Sequence, residues 1–326
     1  VIELPFGLSE VTRMRFAVSP VTELVWSTIA YRKPERHWLH RRWREETAAR
    51  LDTADVRLLL ALTGGRAYLP DFLTPAPDSA RPRLAEELAR IEATPPDLAA
   101  AQVGMIYPAA ERPAVVERFL TRPRAGLREL ADQMRLSFEL VLAPYWSRVL
   151  GAAENDIQRR SGAAAAEGWP SLLAGLHPRL RWDGRRLRLD EAIAGRLQSQ
   201  EMVLVPSSFV WPGLYLAALP GGACTIAYPP HGVGRLWEPV AQPAASPLAA
   251  LLGPTRAAVL TSLRQPRTTT ELARLLALAP STVSHHLSIL VGAGLALRRR
   301  DRDGVRYLRT PLGDEVLTAG TAATRA

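Results

Sequence analysis

The stretch from Thr268 to Gly294 constrains the fold of this chain more than any other. Thr268-Thr-Thr-Glu271 spells a capping box, in which the Thr268 hydroxyl accepts from the Glu271 amide and the Glu271 carboxylate reaches back. A helix over Glu271–Leu276 then meets a short turn, Ala277–Ala279. A second helix begins with Pro280 at its first position, where the missing N–H costs nothing. On it Val283, Leu287 and Leu290 recur at i, i+4, i+7 and define one buried face. At ~100° per residue, Ser281, Ser284, His285 and Ser288 point the other way, until Gly292 and Gly294 end the helix. Ordinary solvated helix faces mix in acids, and this one has none. Such a face enters a DNA major groove without repelling phosphates.

The flanks complete the pattern. Pro254–Leu263 reads as a preceding helix through Ala257, Val259, Leu260 and Leu263. After Gly294 come Leu295-Ala-Leu-Arg-Arg-Arg300, the turn Asp301-Arg-Asp-Gly304 and Val305-Arg-Tyr-Leu-Arg309, a β-hairpin dense in guanidinium groups at its tip. That tip suits phosphate or minor-groove contact. Helix, helix, turn, recognition helix and basic hairpin make a winged helix-turn-helix over residues 248–320.

Charge and aromatic content divide the chain in the same place. The 326 residues carry 41 basic and 32 acidic side chains, a net charge of +9, and the pI is about 10.5. All basic residues but Lys33 are arginines, so the excess reflects general composition as much as phosphate binding. Its location is more telling: residues 246–326 hold eleven arginines against five acids, a net +6. Of 21 aromatic residues only Tyr307 lies beyond residue 245. The boundary falls at 241–247, a Pro- and Ala-rich stretch with the character of a linker.

Residues 1–240 read as a separate domain for effector binding or dimerisation, helical over 1–178 and β-rich over 179–240. Leu127, Leu130, Met134, Phe138, Val141 and Tyr145 keep helical spacing, while Gly64-Gly65 and Pro95-Pro96 interrupt other helices. Asp183-Gly184 marks a hairpin. Met202–Pro230 has no charge, yet its prolines and glycines cut it into runs too short for a bilayer, which needs about 20 residues. Met202–Val205, Phe209–Leu219 and Cys224–Tyr228 fit buried strands instead. The expected class is α+β: a mostly helical N-terminal region with a small β-sheet, then the winged helix-turn-helix. A lone cysteine, Cys224, and an opening Val1-Ile2-Glu3 with no basic or apolar run give a reduced, cytoplasmic expectation with no membrane association.

Other candidate chemistry is thin. His37 and His40 sit at i, i+3, but Arg36, Arg41, Arg42 and Arg44 repel a cation, and a basic helix accounts for them. The eight tryptophans all precede the winged helix; an aromatic effector pocket and simple core packing explain them equally. No phosphate-binding glycine loop, nucleophile elbow or Ser/His/Asp spacing stands out, so neither catalysis nor a cofactor is expected.

Thr269-Thr-Glu-Leu-Ala-Arg-Leu-Leu276 and Pro280-Ser-Thr-Val-Ser-His-His-Leu-Ser-Ile-Leu-Val-Gly-Ala-Gly-Leu295 resemble the ArsR/SmtB-type bacterial transcriptional regulators, over about a fifth of the chain. The remainder is similar to the N-terminal domain of an actinobacterial ArsR-like group through Arg15-Phe-Ala-Val-Ser-Pro20, Leu176-His-Pro-Arg-Leu-Arg-Trp182 and Phe209-Val-Trp-Pro212. That domain carries no assigned chemistry. Metal-sensing members of the family place cysteine pairs before the recognition helix or Asp/His sets after the wing. Here Glu271–Leu276 has no cysteine and Pro311–Gly320 offers only Asp314 and Glu315, so metal sensing is not expected. Ala279 replaces the family's usual serine cap, at a cost of about 1 kcal/mol.

The resemblance and the residue pattern together imply a DNA-binding transcriptional repressor acting as a homodimer on double-stranded DNA. The expected DNA-contacting set is Thr268, Thr269, Ser281, Thr282, Ser284, His285, Ser288, Arg298, Arg300, Arg302 and Arg306. His286 flanks the buried face, and a packed histidine and a DNA contact stay equally open for it. Residues 1–240 are expected to sense a small apolar or aromatic effector or to supply the dimer contact. The rival reading is an enzyme in residues 1–240 with a DNA-binding tail.

Overall fold

The computed structural model describes residues 2–5, 13–64, 68–173, 175–189, 195–196, 201–218, 223–237, 247–276, 278–301 and 304–322. The chain divides into two compact units, Val1–Trp237 and Glu238–Ala326.

The first unit is built around α1 (Pro20–Arg32), whose N-cap Ser19 accepts from the Thr22 amide. Ten of its thirteen residues are buried, Glu23 among them. Around it lie α2 (Arg41–Thr53), α3 (Arg57–Thr63), α4 (Leu84–Glu92), α5 (Pro96–Gly104), α6 (Ala114–Thr121) and α7 (Pro123–Ser137). Leu24, Trp43, Leu59, Leu88, Phe119 and Leu130 fill the core between them. The periodic run from Leu127 to Tyr145 is α-helical only to Ser137 and then widens into a π turn over Phe138–Leu142. Pro144 gives the physical reason, since it has no N–H to continue the ladder and its ring crowds the carbonyl four residues back. Then α8 (Trp146–Glu167) and α9 (Trp169–Leu173) lead into the strands.

Two four-stranded sheets follow among the described residues. In the first, β1 (Ile2–Pro5) lies between β4 (Arg186–Leu189), antiparallel, and β5 (Gly195–Arg196), parallel, with β3 (Leu180–Trp182) on the far side of β4. The β3–β4 hairpin turns at Gly184, φ +92°, as the Asp183-Gly184 pair requires. Asp183 Oδ1 accepts from the Arg185 and Arg186 amides at 2.9 and 2.7 Å. In the second sheet, β2 (Met14–Phe16), β6 (Met202–Pro206) and β8 (Cys224–Tyr228) run parallel, and β7 (Tyr215–Ala218) is antiparallel to β8. Met202, Leu204, Cys224 and Ile226 pack on one face, Val203, Val205 and Ala227 on the other. Both faces are buried, which is why these strands read as unbroken apolar runs.

Two expectations need correction here. The N-terminal region is not helical from residue 1, because β1 and β2 contribute strands to the two sheets, with partners far along the chain at Leu189 and Met202. The strand expected over Phe209–Leu219 is confined to Tyr215–Ala218. Glu23 takes the Ser208 and Phe209 amides at 2.6 and 3.1 Å, and Gly213 N–H turns back to the Val210 carbonyl at 2.9 Å. Those donors are therefore spent on a turn and on a side chain, not on a ladder.

The second unit contains α10 (Pro247–Leu252), α11 (Pro254–Ser262), α12 (Thr269–Leu276), α13 (Pro280–Gly292), β9 (Ala296–Asp301), β10 (Gly304–Arg309) and α14 (Pro311–Ala322). Val259, Leu260, Leu272, Val283, Leu287, Leu290 and Leu295 form its core. The linker expected at 241–247 falls outside the described residues except for Pro247, which opens α10. The fold class is α+β, with the winged helix-turn-helix at its C-terminal end. No single helix among the described residues is long and apolar enough to cross a membrane.

Candidate nucleic-acid interface

The capping box forms as its spacing dictates. Glu271 carboxylate accepts from the Thr268 amide at 2.8 Å, and the Glu271 amide donates to the Thr268 hydroxyl at 3.2 Å. It starts α12, which seats Leu272 and Ala273 in the core. The chain then turns, the Leu278 amide reaching the Ala273 carbonyl at 2.9 Å, and α13 leaves at 114° to α12. Helix pairs joined at 90–120° by a short turn are the geometry that lays a second helix into a groove.

Val283, Leu287 and Leu290 are at most 1% exposed, so the seam of α13 is fully committed to the core. Ser281, Ser284, His285 and Ser288 are exposed on the opposite side, and Thr282 is half-buried. The Ser288 hydroxyl donates to the Ser284 carbonyl at 3.0 Å, which leaves its lone pairs outward as acceptors. Ala279 supplies no side-chain cap, and Pro280 has no amide, so the Ser281 and Thr282 N–H groups stand at the positive end of the helix without a capping partner. Residue types alone do not point to these uncapped amides as candidate anion donors; the absent cap at Ala279 is the signal for them. Thr268 and Thr269 are half-buried, and the Thr268 hydroxyl is already engaged within the capping box. His286 is half-buried with its Nδ1 shut off from solvent, and burial, then His285 and Arg256, push its pKa down.

The hairpin sorts its arginines by register. Arg298 faces Tyr307 and Arg300 faces Val305 on one side of the ribbon, whereas Arg299 faces Arg306 on the other. Arg298, Arg299 and Arg300 are exposed. Arg306 is only 8% exposed, so little of the side chain expected to reach DNA lies at the surface. Along β10, Arg306 and Leu308 are buried while Val305 and Tyr307 between them are half-buried, although Arg299, paired with Arg306 across the ribbon, is exposed. Arg302 lies outside the described residues. Arg299, which pattern reading did not select, presents its side chain at the surface instead.

The base of the ribbon is fixed in three ways. Arg267 and Tyr307 exchange backbone hydrogen bonds at 3.0 and 2.8 Å, adding a one-residue third strand. Thr310 caps α14 by accepting from the Gly313 amide at 3.1 Å and donates to the Gly294 carbonyl at 2.6 Å. Arg309 pairs with Asp314 at 2.7 Å. The wing is thereby anchored to the end of α13.

In the first unit, His37 and His40 are buried, at 3% and 1% exposed, and burial pushes their pKa down to about 4 and about 3. They are neutral packing groups: His40 stacks on Phe209 at 4.4 Å and accepts from Trp237 Nε1 at 2.9 Å. No group of three or more His, Cys, Asp or Glu side chains among the described residues is arranged to hold a metal ion. The tryptophans divide, with Trp43 and Trp237 buried and Trp38 and Trp169 exposed.

A family model described as a helix-turn-helix domain matches residues 251–300, from the end of α10 almost to the end of β9. Comparison with curated proteins and with solved structures found no match. The C-terminal unit is a helix-turn-helix DNA-binding domain.

Proposed function

We propose that this protein is a transcriptional repressor of the ArsR/SmtB type, without enzymatic activity, which binds double-stranded DNA as a homodimer in the cytoplasm. The observation that carries the reading is the division of α13 between a fully buried apolar seam and an exposed, acid-free polar face. Ser281, Ser284, His285 and Ser288 read base edges in the major groove, and the Ser281 and Thr282 amides hold a phosphate at the helix N-terminus. Arg298 and Arg300, on one face of the wing, take backbone phosphates or the neighbouring minor groove. One module of this size buries roughly 600–1,000 Å² of protein surface, so two copies on a palindromic operator supply the affinity. The first unit receives a small apolar or aromatic effector, whose binding shifts DNA affinity through a two-state change.

The test is a gel-shift titration of the full chain against the DNA upstream of its own coding sequence. Affinity should fall steeply and linearly on a log–log plot as salt rises, because neutralised phosphates release counterions. Binding that is absent at low salt, or indifferent to salt, refutes the reading.

A further inference from the structure

The first unit carries a basic ribbon of its own, in the hairpin of β3 and β4. Residues 179–188 hold five arginines and a single acid, Asp183, a net +4. Alternation sorts the hairpin into two faces. Leu180, Leu187 and Leu189 are buried in one cluster with Leu172, Leu173 and Leu176. Arg181, Arg185, Arg186 and Arg188 are exposed. The one carboxylate is spent on the turn, where Asp183 Oδ1 takes the Arg185 and Arg186 amides at 2.9 and 2.7 Å. The tip stands clear of the rest of the unit. Among the described residues, no atom beyond the chain neighbours of Gly184 lies within 4 Å of the point where a side chain there would begin.

Place in the sheet concentrates this charge. Among the described residues β3 is an edge strand, with β4 as its one partner. Arg181 stands directly opposite Arg188 across that ladder. In register, Arg188 has Glu3 of β1 on its other side, whereas Arg181 has no strand beyond it. Like charges set opposite each other across strands repel, and an anion laid along the outer face relieves that repulsion. Guanidinium forks match phosphate oxygens in particular. The C-terminal unit is a helix-turn-helix DNA-binding domain, so the polyanion brought to this chain is duplex DNA. Covalent attachment then makes any phosphate contact by the first unit an intramolecular event, and weak contacts count.

We propose that the β3–β4 ribbon is a second DNA-contacting element, in which Arg181 and Arg185 hold backbone phosphates in addition to those held by the winged unit. The proposal rests on the reading that the winged unit binds duplex DNA. Contacts of this kind add affinity and carry no base preference.

Fluorescence anisotropy of the full chain over a range of salt concentrations tests it. The probes are the DNA upstream of its own coding sequence and a random-sequence duplex of equal length. Arg181→Ala/Arg185→Ala should lower the slope of log affinity against log salt by about 1.8 per bound chain, equally on both duplexes. Both side chains are exposed, so the melting temperature should not move. Arg181→Lys/Arg185→Lys should restore the parent slope, because an ammonium still displaces counterions. An unchanged slope in the Ala pair overturns the proposal, as does a loss confined to the upstream DNA. A Lys pair that behaves as the Ala pair does assigns the loss to packing and overturns it too. So does an Ala pair whose solution mass rises while its slope is kept, since the arginines then only guard the β3 edge against a second copy of the chain. Arg298→Ala/Arg300→Ala and Ser281→Asp proteins, measured alongside, keep the two readings apart. If they lose affinity and the ribbon variant keeps its slope, the ribbon alone falls; if the ribbon variant loses slope and they bind as the parent does, the winged reading alone falls. A parent that binds neither duplex removes both.

Discussion

Replacing Arg298 and Arg300 together by Ala asks whether the wing touches DNA through the face that register assigns to it. Both are exposed, and both lie on the side of the ribbon that carries Val305 and Tyr307. Each phosphate contact contributes a slope of about 0.9 to the fall of log affinity with log salt. Two contacts per protomer give about 1.8, and a dimer on a palindrome about 3.6. The double variant should therefore lose most of its low-salt affinity and bind almost as its parent does at high salt. Arg306→Ala is the control on the opposite face. At 8% exposed, its loss should lower stability by about 0.5–3 kcal/mol and leave the salt slope in place. Gel shifts or fluorescence anisotropy at four or so salt concentrations, paired with thermal melts, read both quantities. An unchanged slope in Arg298→Ala/Arg300→Ala, or a reduced slope with unchanged melting in Arg306→Ala, refutes the assignment of faces.

Other outcomes follow from single positions. His285→Ala should shift preference among operator variants by about 1–3 kcal/mol at one base pair while sparing non-specific affinity; a uniform loss across all sequences contradicts base reading. Gly313→Ala places a Cβ 2.3 Å from the Leu295 carbonyl oxygen, a backbone atom, so melting should drop by an amount equivalent to about 1–3 kcal/mol, and an unaltered melt would contradict the tight approach of α14. Glu23 is raised to about 7, chiefly by burial, against the pull of its hydrogen bonds to Ser207, Ser208 and Phe209. Because the folded state holds this proton more tightly than the unfolded chain, its contribution is complete below the ordinary value of 4.5 and is lost as pH rises through about 7. Glu23→Gln should flatten the decline of stability over that window, with Glu87, also raised to about 7, keeping the remainder; an unchanged pH profile contradicts this.

The winged unit was readable because its signals are local. A capping box, a proline at the first helical position and a glycine at positive φ each act within a turn of where they occur, and Gly294 at φ +70° ends α13 as its type predicts. The Asp183-Gly184 hairpin was readable for the same reason. What escaped depends on contacts between distant residues. Three-residue β2 has no periodicity of its own and is a strand only because β6 is beside it. Arg267 and Tyr307 make a strand one residue long, which no pattern announces. The count of arginines at the hairpin does not give their exposure: Arg306 is 8% exposed, whereas Arg299, paired with it across the ribbon, is exposed. Glu23 did leave a trace: a lone acid in a helix with ten buried residues is a buried carboxylate in need of donors, and Ser207–Phe209 supply them.

Ser281→Asp tests the central claim most directly, because stability and DNA binding should move in opposite directions. An acid in the uncapped first turn of α13 favours the helix by about 0.3–1 kcal/mol, yet it puts negative charge where a phosphate is to sit. The account predicts a melting temperature equal to or above the parent's together with DNA affinity lowered by about tenfold or more. Affinity equal to the parent's in a folded Ser281→Asp protein would show that this face of α13 does not meet DNA.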